Sequence, residues 1–383
     1  MSEETIHVGV SAGTTPTTGS RSTTTTASAR GRLGAGLVPM PRVPMRDPTT
    51  AVMADPQVPE TRRYCPNSEC RRPVGRSTPE RPGAARGTCE ACGEPYSFLP
   101  RLHAGDLVAG RYEILGCLAY GGLGWIYLAR DRHVSDEVAE RWVVLKGLIN
   151  SGDAAAMATA VSERRFLVEV DHPQIVKIHD FISHPDKETG EPFSYLVMEY
   201  VGGRSLRDLQ RDAGGVLPLA QVLAYGLEIL PALSYLHERG LLFCDFKPAN
   251  LIHSEEQLKL IDLGAVRRID DYASVVWGTP GYQAPEVSAG AWPSIASDLH
   301  TVGRTLAVLS LGISPLAPLP DPAEAPLLAE QEPFHRWLLR ATHPEPARRF
   351  GSAAEMAEQL HGVLRQVAAA ADGEPRPGRS AYF

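Results

Sequence analysis

No stretch of the chain reaches eighteen uninterrupted apolar residues, the least that reads as a membrane-crossing helix. The two most apolar segments are broken, residues 222–236 by Glu228 and Pro231 and residues 306–319 by Gly312 and prolines. Basic excess is missing too: 38 Lys and Arg stand against 45 Asp and Glu, a net charge of -7, which gives no footprint for nucleic acid. The opening MSEETIHVG is acidic and has no apolar core behind basic residues, so no signal peptide is expected. A cytoplasmic protein without integral membrane association is the expectation. Cysteine is scarce, six in 383 residues, and four of the six fall between positions 65 and 92. That clustering suits a metal site better than a disulfide framework.

What is present divides the chain into segments of different character. Residues 1–60 are rich in Thr, Ser, Pro and Gly, with the run TTPTTGSRSTTTTASARGR and almost no apolar periodicity. They are expected to form a disordered tail, unable to bury enough surface to offset the entropy of ordering. Within it Thr5 follows Glu3 and Glu4 and precedes the aliphatic Val8. Residues 61–100 hold two cysteine pairs on turn-like segments, C-x-x-x-x-C and C-x-x-C, around a polar Gly/Pro-rich insert. Four thiolates so presented suit a tetrahedral Fe or Zn, which substitutes for the core that so small a module lacks. Cys65, Cys70, Cys89 and Cys92 are the expected ligands.

From residue 107 the pattern changes to alternation, then to helical spacing. Residues 107–128 read as a β-hairpin whose turn contains Ala119, Gly121, Gly122 and Gly124. A strand ending in Lys146 follows, then a helix over 153–170 with Phe166, Leu167 and Val170 on one side. Residues 195–201 read as a buried strand, and 222–240 as a core helix ending on Gly240. Next come Asp245-Phe246-Lys247-Pro248-Ala249-Asn250 and Asp262-Leu263-Gly264. Phosphoryl transfer needs a carboxylate to orient the attacking hydroxyl, an amide and a second carboxylate to hold magnesium, and a lysine near the moving phosphate. Asp245, Asn250, Asp262 and Lys247 can fill those roles in turn.

These residues, with Gly278-Thr279-Pro280-Gly281-Tyr282-Gln283-Ala284-Pro285-Glu286 and residues 297–303, resemble the eukaryotic-type protein kinases. Together with the four-cysteine module, the set resembles the actinobacterial protein kinase G family, in which a rubredoxin-like module joins a Ser/Thr kinase. The resemblance implies an α+β, two-lobed kinase fold over residues 107–365, with an N-lobe at 107–201 and a C-lobe at 202–365. A small rubredoxin-like or zinc-ribbon-like metal module and the tail precede it. Residues 366–383 are a short C-terminal tail, fewer than one 34-residue repeat of the tetratricopeptide array usual in that family.

The resemblance also implies ATP with Mg or Mn, an ion pair between Lys146 and Glu163 with Glu169 as rival, and Met198 as gatekeeper. Around the nucleotide it places Leu118, Ala119, Gly121, Gly122, Gly124, Ile126, Val144, Lys146, the backbone of Glu199 and Val201, Ile252 and Ile261. It implies protein substrates, among them an FHA-domain regulator docking on a phosphorylated tail threonine. Three departures stand out: Ala119 for the first loop glycine, Phe243-Cys244 for His-Arg, and Leu263 for Phe. They favour the alternative of a silent nucleotide-binding scaffold with a redox- or metal-sensing module. The retention of Asp245, Asn250 and Asp262 together favours the enzyme.

Overall fold

The alternation read in the first strands becomes a two-faced sheet. A computed structural model describes residues 36–67, 69–121, 124–134, 140–147, 165–255, 257–274, 276 and 278–377. A two-stranded hairpin, β1 (Arg86–Thr88) and β2 (Pro95–Ser97), carries the second cysteine pair between its strands. The N-lobe strands are β3 (Leu107–Val108), β4 (Tyr112–Gly121), β5 (Gly124–Asp131), β6 (Trp142–Gly147), β7 (Ile178–Pro185) and β8 (Pro192–Glu199). They form one antiparallel sheet in the order β3-β4-β5-β6-β8-β7.

Successive side chains of a strand point to opposite faces, and the two faces of this sheet have different partners. Cys117, Trp125, Tyr127, Leu145, Phe193 and Tyr195 join Val58, Cys65, Val74, Cys89, Phe98 and Leu102 of the preceding module in one buried cluster. Leu196 and Met198 point the other way, into the C-lobe core. The metal module therefore has no separate core of its own; it is the outer cover of the N-lobe sheet. Trp125 Nε1 donates to the Phe98 carbonyl at 3.0 Å, and Arg62 Nη2 donates to the Tyr120 carbonyl at 3.0 Å, fastening module to sheet beside the glycine turn.

Beyond the hinge, the link of residues 200–203 between β8 and the C-lobe, the chain forms β9 (Arg204–Ser205), α1 (Leu206–Asp212), α2 (Leu219–Glu238), β10 (Leu241–Leu242), β11 (Leu251–Ser254), β12 (Gln257–Leu260) and β13 (Arg267–Arg268). The helices α3 (Pro285–Ser288), α4 (Ile295–Leu311), α5 (Pro326–Glu330), α6 (Glu332–Ala341) and α7 (Ala353–Asp372) complete the C-lobe. By length and composition α2 could cross a membrane, yet Val222, Leu223, Ile229, Leu230, Leu233 and Leu236 are buried in the C-lobe core beside α4 and α7. Helix α4 starts with a reciprocal capping box between Ser294 and Ser297 and stops at Gly312, whose φ of 66° a side chain would strain. A fixed start matters because α4 carries the carboxylate that shapes the catalytic loop.

Two expectations change. The tail does not extend to residue 60: from Leu37 on, the chain straps the kinase lobes together. Leu37, Val38 and Met40 pack on the C-lobe core, and Glu255 N donates to the Val43 carbonyl at 2.5 Å. Met45 fills the space a Cβ on Gly202 would take, and Met53 N donates to the Cys117 carbonyl at 2.8 Å. Low periodicity misled here because an extended segment lying on a finished surface has no face of its own to repeat. The helix expected over 153–170 is, in its described part, a 3-10 helix at Arg165–Glu169; Glu163 lies outside the described residues. Gly122 and Thr5 lie outside them as well.

Candidate active site

The catalytic loop is built from its anchors outward. Asp298, on the first turn of α4 and 1% exposed, accepts from Cys244 N through Oδ1 at 2.7 Å. Its Oδ2 accepts from Phe243 N at 2.7 Å and from His237 Nε2 at 3.0 Å. Phe243 and Phe246 are buried in the C-lobe core with ring centroids 6.3 Å apart, and Thr305 Oγ1 donates to the Phe246 carbonyl at 3.1 Å. Phe243 thus takes the usual histidine position as a hydrophobic anchor. With both neighbours held inward, Asp245 is left facing the cleft.

Three side chains converge on that carboxylate. Thr279 Oγ1 donates to Asp245 Oδ1 at 2.6 Å, Lys247 Nζ donates to Oδ2 at 2.6 Å, and Asn250 Nδ2 donates to Oδ2 at 3.1 Å. Lys247 Nζ also donates to Thr279 Oγ1 at 2.6 Å, so a hydroxyl already bridges carboxylate and ammonium. That is the position an acceptor hydroxyl needs. Asn250 spends its amide nitrogen on Asp245, with a second bond to the Asp245 carbonyl at 2.8 Å, which leaves Oδ1 as the atom suited to a cation.

Across the cleft, Asp262 adopts the left-handed conformation at φ 64° and caps the short turn Leu263–Ala265, accepting from Gly264 N at 3.1 Å. Lys146, 5% exposed, donates to Asp262 Oδ1. Burial works to raise the Asp262 carboxyl, but Lys146 and the Gly264 amide hold it below the usual carboxylate range. The lysine that sequence reasoning paired with Glu163 meets Asp262 here. Leu263, in the usual phenylalanine place, is buried in the C-lobe core and keeps the turn fixed by packing.

The aliphatic residues expected around a nucleotide share one burial pattern. Leu118, Ile126, Val144, Val201, Ile252 and Ile261 are each half-buried, whereas Cys117, Trp125, Tyr127, Val143, Leu145, Leu251 and Leu260 beside them are buried. Aliphatic side chains from both lobes thus keep part of their apolar surface accessible. Val144 is the cross-strand neighbour of Met198, which is buried. Glu199 pairs with Lys259, and its amide is already committed to the Lys177 carbonyl at 2.9 Å, leaving its carbonyl for a base. Ala119 is exposed at the loop mouth. Gly124, at φ 121°, is the loop position that most requires glycine.

Residues 112–357 match a family model described as protein kinase domain. The chain belongs to the protein kinase family. Residues 27–102 match the protein kinase G rubredoxin domain, a span that begins in the expected tail and takes in the strap. The chain is 54% identical over 355 residues to serine/threonine-protein kinase PknG of Mycolicibacterium smegmatis, covering 92% of this chain and 45% of that protein. It is 53% identical to the PknG of Mycobacterium leprae, covering 92% and 46%. It therefore spans about half the length of the curated relatives it matches. Among solved structures, the Mycobacterium tuberculosis PknI kinase domain aligns with a TM-score of 0.54 at 30% identity, over 68% of this chain and 99% of that one.

The rubredoxin-type module brings its four cysteines together. Cys65 and Cys92 Sγ are 3.5 Å apart, Cys70 and Cys89 Sγ 3.8 Å, and all four lie within 4.8 Å of one another. Tetrahedral thiolates about 2.3 Å from a metal sit about 3.8 Å apart, so the donor set fits such an ion. Burial pushes the Cys65 thiol up to about 12, while the Ala91 and Cys92 amides draw Cys89 down to about 7. Sequence reasoning did not give Thr279 its role: one hydroxyl in a docking segment carries no local signal of what it touches.

Proposed function

We propose that this chain is a serine/threonine protein kinase that transfers the γ-phosphate of ATP to protein hydroxyls. The observation that carries the reading is the Asp245–Lys247–Thr279 cluster. Its carboxylate can orient a substrate hydroxyl and receive its proton as the oxygen–phosphorus bond forms, while the bond from phosphorus to the ADP oxygen breaks. Lys247 then offsets charge on the moving phosphoryl group, and Lys146 clamps the phosphates. Asn250 and Asp262 would hold Mg or Mn, which neutralises phosphate charge. The four cysteines would hold Fe or Zn.

We place the protein in the cytoplasm, acting on protein substrates and not on nucleic acid or as an integral membrane protein. An FHA-domain regulator docking on phosphorylated Thr5 is the partner that the sequence Glu3-Glu4-Thr5, with the aliphatic Val8 three residues on, suits. The test is to supply Mg·ATP and map phosphosites by mass spectrometry, in parallel with Asp262→Ala and Lys146→Met. Phosphate on Ser or Thr in wild type and none in either variant is the expected result. Equal phosphorylation in the variants would overturn the assignment.

A further inference from the structure

Between Arg204 and Asp212 the chain carries five ionised side chains, Arg204, Arg207, Asp208, Arg211 and Asp212. Four are spoken for: Arg204 pairs with Asp212, and Arg211 with Asp208 at 2.9 Å and with Asp212 at 3.2 Å. Asp208 also accepts from Ser205 Oγ at 2.7 Å. Arg207 is left over. It is exposed, and among the described residues it makes no ion pair or hydrogen bond.

Its place gives that free charge a use. Helix α1 packs on the Pro248–Asn250 turn of the catalytic loop, with Leu206 fully buried, so the neighbouring exposed Arg207 is carried on an element fixed against that loop. Burial raises the phenol pKa of Tyr282, and the charges of Arg304 and then Arg207 work against that rise. Tyr282 N in turn donates to the Thr279 carbonyl at 3.1 Å, so it closes the turn that presents Thr279 to Asp245. Arg207 thus stands on a helix packed against the loop that carries Asp245, and Tyr282 stands on the turn that presents Thr279 to it.

We propose that Arg207 is a specificity-determining residue that selects protein substrates with a carboxylate side chain next to the acceptor Ser or Thr, on the flank that faces the hinge. This rests on the kinase reading above. A guanidinium recognises a carboxylate through two parallel hydrogen bonds, and with Asp208 already engaged no acid on its own helix competes for it. The chain contains a segment of the required kind: Glu3 and Glu4 stand directly before Thr5.

The test uses the full chain with Mg·ATP and three Thr peptides that differ only in the two preceding residues, Glu-Glu, Gln-Gln or Lys-Lys. Their Ala-for-Thr analogues are used for binding by fluorescence anisotropy. Wild type should prefer Glu-Glu over Gln-Gln by about fivefold in kcat/KM and in Kd, the scale of a solvent-accessible ion pair. Arg207→Ala should bring both ratios to about one, and Arg207→Glu should shift the preference to Lys-Lys, which a merely structural role would not do. A wild-type ratio near one, or an unchanged ratio in Arg207→Ala, overturns the proposal. If no peptide is phosphorylated the kinase reading fails, and the binding ratios still decide Arg207.

Discussion

Cys244 gives its amide hydrogen to Asp298 at 2.7 Å, and the bond holds a residue with a Cβ in the left-handed region at φ 65°. Such a conformation costs on the order of 1 kcal/mol and persists where surroundings impose it. Here it turns Asp245 towards Thr279. Many Ser/Thr kinases carry an arginine at this position to bind a phosphate on the activation segment. The Cys244 thiol offers no positive charge, and burial and the Asp298 carboxylate push its pKa up, so it stays neutral.

Activation-segment phosphorylation should therefore matter little. Arg267, the nearest substitute, is buried and donates to the carbonyls of Asp271 and Ser274 within the segment itself. Arg268 pairs with Asp270 at 3.1 Å. Dephosphorylated enzyme and Ser274→Ala should keep close to the wild-type initial rate. A tenfold drop, about 1.4 kcal/mol in the barrier, would mean that the arginine pair had taken over.

Arg349 should prove a structural residue. Its guanidinium meets both oxygens of Glu286 at 2.7 Å, and its remaining donors reach the carbonyls of His343, Pro344 and Ala296. Arg349→Ala leaves Glu286 without its counter-charge and should lower unfolding free energy by about 3 to 5 kcal/mol in urea titration. A change below about 1 kcal/mol would show that the pair is dispensable.

Removing metal should soften the N-lobe. Cys89→Ser with Cys92→Ser should empty the site by elemental analysis and lower Tm, because Cys65 and Cys89 belong to the cluster that contains Trp125 and Tyr127. Activity towards a protein substrate should change with it, since Arg62 and Phe98 touch the loop strands directly. Metal loss with unchanged rate would confine the module to a stabilising role.

Mild acid should weaken the C-lobe through His300. Burial, then the Arg349 charge, draws its pKa from 6.5 down to about 4. The folded state therefore keeps the ring neutral while the unfolded chain protonates below about 6.5. Stability is complete above that pH and falls between about 6.5 and about 4, by up to ~3 kcal/mol from this group. A His300→Gln variant should show a flatter Tm profile over that window; an identical slope would assign the acid sensitivity elsewhere.

The polar groups of the candidate site were legible because each sits in a short motif whose spacing is set by one turn: Asp245, Lys247 and Asn250 lie within a single loop. The aliphatic residues expected around the nucleotide were named by resemblance, and they are half-buried. What stayed hidden depends on contacts across long separations. Lys146 meets Asp262 and Asp298 meets Cys244, pairs no local pattern joins. The strap was illegible for another reason: Val43, Met45 and Val58 are spaced by the surface they lie on and not by a helix or strand period.

That strap also imposes an order of events during synthesis. Val43 bonds to Glu255, 255 − 43 = 212 residues later in the chain. At roughly 5 to 20 residues per second, the strap leaves the ribosome about 10 to 40 s before its C-lobe partner exists. Through that interval Leu37, Val38 and Met40 have no core to enter, so a segment made well before the C-lobe is among the last to settle.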